Sequence, residues 1–109
     1  MRKILIPLLF TPVMAYADFF SGNMLLERIN SDAATQKSLA LGYIMGVSDV
    51  YQNNVHCAGP LVTAGQTRDV VKQYLERNPA SRDIAAELII MVALGEAFPC
   101  KSNQKGNRS

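Results

Sequence analysis

Residues 31 to 54 read Ser31-Asp32-Ala33-Ala34-Thr35-Gln36-Lys37-Ser38-Leu39-Ala40-Leu41-Gly42-Tyr43-Ile44-Met45-Gly46-Val47-Ser48-Asp49-Val50-Tyr51-Gln52-Asn53-Asn54. Leu39, Tyr43, Val47 and Val50, with Ala40, Ile44 and Tyr51 beside them, recur at spacings of three, four and seven, which lines them up along one side of a helix. Gln36, Lys37, Ser48, Asp49 and Gln52 supply the polar positions. The pattern predicts one long helix from Ala33 to about Asn53, capped by Ser31-Asp32 and stopped by Asn53-Asn54. Gly42 and Gly46 stand four apart inside it, each about 1 kcal/mol less favourable than alanine in a helix. Close packing against another helix accounts for the pair better than a ligand site does.

The same period continues on both sides. Asp18 to Asn30 carries apolar residues at 25, 26 and 29, with Ser21 or Asn23 as its N-cap. Val55 to Val62, containing Gly59-Pro60, is a loop. Thr63 with Gln66 three residues later forms a capping box, which opens a helix to about Arg77 with Val70, Val71, Tyr74 and Leu75 on its apolar face. Asn78-Pro79 ends it, because the residue before proline is pushed out of the α region. A last helix starts near Ser81 to Asp83 and runs to about Phe98. Its centre, Leu88 to Leu94, reads LIIMVAL, apolar nearly all round, so three short neighbours cannot cover it and part of it is expected at an interface between two copies. No strand, hairpin, repeat or Gly-rich phosphate loop is legible. The expected fold is all-α, a small four-helix domain with one disulfide.

That disulfide follows from the chain's two ends and its two cysteines. The sequence has 109 residues, 11 basic and 9 acidic, for a net charge of +2. Met1-Arg2-Lys3, the apolar run Ile4 to Val13 and Ala15-Tyr16-Ala17 have the three parts of a secretory signal peptide, expected to be removed after residue 17. The apolar run is about half of the ~20 residues that a membrane span needs. Without Arg2 and Lys3 the charge is zero. Residues 101 to 109 hold Lys101, Lys105 and Arg108 with no acid, and read as a disordered basic tail. The body from 18 to 100 is then acidic by three, with no clustered basic patch of the kind that binds nucleic acid. In an oxidising compartment Cys57 and Cys100 have only each other, and their disulfide closes a loop worth roughly 4 kcal/mol by the chain-entropy estimate. A zinc site or catalytic thiol at His56-Cys57 is the competing reading. The chain has a single histidine, and sequence neighbours do not face each other as a nucleophile and its base must.

Catalysis needs converging polar groups, and few are legible. Asp49 is either a buried carboxylate with a raised pKa or, as preferred, a surface residue. His56 is expected to be a loop side chain. Neither a metal nor a cofactor is implied, and a small exported helical domain of this kind is expected to bind a partner rather than transform a substrate.

Several stretches are more specific. Gly42-Tyr43-Ile44-Met45-Gly46-Val47-Ser48-Asp49, Cys57, Val62-Thr63-Ala64-Gly65-Gln66-Thr67-Arg68-Asp69-Val70-Val71, Tyr74-Leu75, Asn78-Pro79 and Glu96-Ala97-Phe98-Pro99-Cys100 closely resemble the Rap/Tai family of periplasmic immunity proteins, which neutralise amidase effectors of type VI secretion. The resemblance covers about Asn23 to Cys100. It implies an all-helical periplasmic homodimer, not an enzyme, that binds a peptidoglycan amidase and blocks its active-site cleft, with no nucleic-acid partner and no membrane attachment after signal cleavage. Many members carry a second cysteine pair, at positions matching Ile29 and Ala40 here, which implies that this chain has lost a second staple. The signature residues Gly65 and Gln66 fit a helix start, and Phe98-Pro99-Cys100 a disulfide-tied helix end.

A cleft-blocking inhibitor needs a stiff protruding element, which limits the entropy lost on binding. Two loops qualify: His56 to Val62, anchored by the disulfide and Pro60, and Arg77 to Asp83, stiffened by Pro79. The second is preferred for partner contact, since Arg77, Asn78, Ser81, Arg82 and Asp83 offer polar groups and arginine is favoured at hot spots. The competing class is an HdeA-like periplasmic acid-stress chaperone, also small, exported, helical and tied by one disulfide.

Overall fold

The computed structural model describes residues 19 to 101, so the expected signal segment and all of the expected tail except Lys101 lie outside the described residues. Four helices make up the domain: α1 (Gly22–Ile29), α2 (Ala34–Tyr51), α3 (Ala64–Arg77) and α4 (Ala86–Ala97), with a 3-10 turn at Pro79–Ser81 before α4. Among the described residues there is no β-strand, and no helix is long and apolar enough to cross a membrane.

Local chemistry sets most of the boundaries. Ser21 caps α1 by accepting a hydrogen bond from the Met24 N–H at 3.2 Å. The Thr63 hydroxyl accepts from the Gln66 N–H at 3.1 Å while the Gln66 side chain accepts from the Thr63 N–H at 2.8 Å, the reciprocal pair read from the sequence. α2 starts at Ala34 after an N-cap, Ala33, whose methyl side chain cannot cap; the Ser31 hydroxyl accepts from the Ala33 N–H just before the helix, at 3.0 Å. It stops at Tyr51, and Asn53 takes φ of 71°, a left-handed conformation that asparagine tolerates better than most residues. Asn78 ends α3 ahead of Pro79.

The start of α4 differs most from expectation: it lies at Ala86, beyond the Ser81–Asp83 region. Residues 79 to 85 are drawn off by α1. The Gly22 N–H donates to the Ile84 carbonyl at 2.9 Å, Asn23 N–H to Arg82 carbonyl at 2.8 Å, and Ala86 N–H to Phe20 carbonyl at 2.8 Å. The first two satisfy free donors at the start of α1 and the third one at the start of α4, which a helix must otherwise leave to water or a cap.

Each helix buries one stripe. Leu25 and Ile29 of α1, Ala40 and Ile44 of α2, Val71 and Leu75 of α3, and Ala86, Ile89, Ile90, Ala93 and Leu94 of α4 form the core. Ile29 and Ala40, where the resemblance places a second cysteine pair, are both core residues. Phe20 and Tyr43 meet edge to face at 4.8 Å, and the Arg28 guanidinium lies 5.4 Å over the Phe20 ring and donates to the Gln36 side chain. Cys57 and Cys100 form the disulfide, with Cα atoms 4.9 Å apart. It ties the α2–α3 loop to the end of α4, beside a hydrogen bond from the Cys57 N–H to the Phe98 carbonyl at 2.7 Å.

Candidate functional site

Three surfaces can carry function, and the helices present each differently. The first is the α3–α4 connection, where the residues preferred on polarity stand together. Arg77 is exposed and shares its guanidinium with Gln73 one turn back, at 3.3 Å. Asn78 turns inward, its side-chain amide donating to the Tyr74 carbonyl at 2.9 Å. The Ser81 N–H closes the turn on the Asn78 carbonyl at 3.0 Å. Arg82 is half-buried, with its carbonyl given to Asn23 and its Nε buried without a partner, and Asp83 is exposed. Arg77 and Asp83 are thus free to meet a partner, while Asn78, Ser81 and Arg82 also hold the turn.

The second surface is the loop from Cys57 to Thr63. Besides Cys57 to Phe98, the Gln52 side chain donates to the Ala58 carbonyl at 2.9 Å and the Val62 N–H to the Gly59 carbonyl at 3.2 Å. Beneath it lies His56, which is not the free loop side chain that the sequence suggests. It is 1% exposed, with Nε2 3.3 Å from the Ser48 hydroxyl and Nδ1 without a partner. Burial holds its pKa below that of a free histidine.

The third is a face of α2. Gly42 and Gly46 do not pack on another helix among the described residues: a Cβ at either position meets nothing within 4 Å. Instead they floor an open groove of about 470 Å³ walled by Tyr43, Val47, Val50 and Tyr51, with Glu87 from α4 at its edge. The Tyr51 hydroxyl donates to Glu87 at 2.7 Å, and this bond raises its pKa; that of Tyr43 is raised by burial first and then by the Glu87 charge. Leu39 and Val50 on α2 and Leu88 and Val92 on α4 are exposed large apolar residues, so the uncovered side of LIIMVAL is the Leu88–Val92 edge. Asp49 is exposed, as preferred from the sequence.

The sequence profile of the Rap1a immunity proteins matches residues 21–100. The chain belongs to this family. The matched stretch opens on the cap of α1 and closes on Cys100, so it spans the whole four-helix domain of this Rap1a immunity protein with both cysteines. A comparison with curated protein sequences finds no match. Within this Rap1a domain two features escaped the sequence reading. The buried Ser48–His56 contact joins residues eight apart whose types signal nothing together. The exposure of Leu61 had one available signal, its place directly after Gly59-Pro60, where a turn throws side chains outward.

Proposed function

We propose that this Rap1a-family chain is a periplasmic immunity protein that binds and inhibits a peptidoglycan amidase delivered by type VI secretion. The observation that carries the reading is the family match across all four helices and both cysteines. Two others support it. The disulfide belongs to an oxidising compartment, and the first seventeen residues read as an export signal. Inhibition is by occupation of the cleft and calls for no catalytic group on the inhibitor. Arg77 and Asp83 supply polar contacts from the α3–α4 connection, with Asn78, Ser81 and Arg82 holding its shape.

The working unit is a homodimer. Its interface is the glycine-floored face of α2, with Tyr43, Val47 and exposed Val50 in its walls, an apolar surface that a second copy covers by twofold symmetry. Hydrolysis of peptidoglycan fragments by a purified type VI amidase effector from the cells that make this protein, followed with and without it, is the test. Loss of turnover supports the reading; unchanged turnover contradicts it.

A further inference from the structure

We infer that the turn Gly59–Val62 is the apolar anchor of the effector complex, with Leu61 entering an uncharged recess on the partner protein. The inference rests on the immunity reading and adds to it the part of the surface that a partner must desolvate. Leu61 is 90% exposed, against 36 to 65% for the other exposed large apolar residues among the described ones. Single exposed leucines are common on protein surfaces and by themselves mean little. Two further observations set this one apart.

The first is rigidity. Gly59 to Val62 is closed by the Val62 N–H to Gly59 carbonyl bond, with Pro60 at the second position, where its fixed φ suits a tight turn. One base of the turn is fixed by the Cys57–Cys100 disulfide, the Cys57–Phe98 backbone bond and the Gln52 amide on Ala58. Thr63, immediately after it, is locked by the capping box of α3. Leu61 is therefore displayed on a frame shaped before any partner arrives, which lowers the ordering entropy lost on binding.

The second is charge. From Val50 to Thr67 the chain contains no Asp, Glu, Lys or Arg, and its one histidine is buried. Interface centres are depleted of charge, with charged groups left to the rim. Exposed Pro99, next to Cys100, adds another uncharged residue at this end, with Lys101 the first charge beyond it. The Arg77–Asp83 connection lies at the far end of α3, roughly 20 Å away along a helix of this length. Substitutions in the two loops therefore report on separate contacts.

The test titrates the purified amidase with wild-type protein, Leu61→Asp, Leu61→Met and the double variant Arg77→Ala/Arg82→Ala, with thermal melting and size measured for each. The expected result is that Leu61→Asp weakens binding about 30-fold or more, the size of a hot-spot loss. Its melting temperature and oligomeric size stay those of the wild type, and Leu61→Met binds within about threefold. Binding of Leu61→Asp within threefold of wild type overturns the inference. So does a change of oligomeric size in that variant, which makes Leu61 a contact between copies. A photo-crosslinking residue at position 61 supplies a readout that needs no loss of affinity: it attaches to the amidase if the inference holds and leaves it unlabelled if not. Failure of the wild-type protein to bind is seen before any substitution, and that outcome counts against the immunity reading itself.

Discussion

Gly22 shows how much one residue decides in a domain of this size. Its N–H bonds to Ile84, and a Cβ placed on it runs into the Ile89 side chain, 2.9 Å from the Arg82 carbonyl and 3.1 Å from Leu75. The carbonyl is backbone already engaged by Asn23, so it cannot swing aside. Gly22→Ala is expected to destabilise the fold by about 1 to 3 kcal/mol, the range for overpacking a core, as read by urea denaturation. His56 carries a pH dependence of definite sign. Its folded pKa is depressed, so the unfolded chain takes up a proton more readily, and stability falls as pH drops below about 6.5, the value of a free histidine. Above that pH the contribution is complete. Denaturation midpoints compared at pH 7.5 and 5.5 should fall in the wild type and fall less in His56→Gln.

At the scale of the helix, the two glycines of α2 make a prediction that separates folding from association. Nothing lies within 4 Å of a Cβ at position 42 or 46, so Gly42→Ala/Gly46→Ala should stabilise the isolated protomer by up to about 1 kcal/mol per site through helix propensity alone. If the copies meet on that face, the added methyls push the helices apart and weaken the dimer. A melting temperature that rises while the dissociation constant of the dimer also rises is the expected pair of results. Helices with strong local signals were legible in the sequence: the capping box set the start of α3, proline set its end, and apolar spacing set the length of α2 to within two or three residues. The start of α4 was not. It is set by backbone bonds to Phe20, Gly22 and Asn23, more than fifty residues away, which leave no trace in local composition. The glycine pair reads in sequence as a place of close helix packing, whereas the described residues leave it open. Helical periodicity tells which residues share a face and not whether this chain or another covers it.

For the whole molecule, the disulfide divides the surface by character. The end it ties together holds Leu61, Pro60 and Pro99 on a stiff frame, and the opposite end of α3 carries Arg77, Arg82 and Asp83. Of the candidate contacts, the polar residues were legible because arginine and aspartate announce themselves in sequence. The apolar turn reads in sequence only as a loop, because its reach into solvent depends on where α2, α3 and the end of α4 converge. Both ends serve one central claim, that this Rap1a-family protein silences a cell-wall amidase by binding it. The most direct measurement is a titration of that purified amidase with the protein, peptidoglycan cleavage being read at each ratio. The account predicts a fall to background with an end point near one protomer per enzyme. Cleavage that persists undiminished at a large excess of the protein would contradict it.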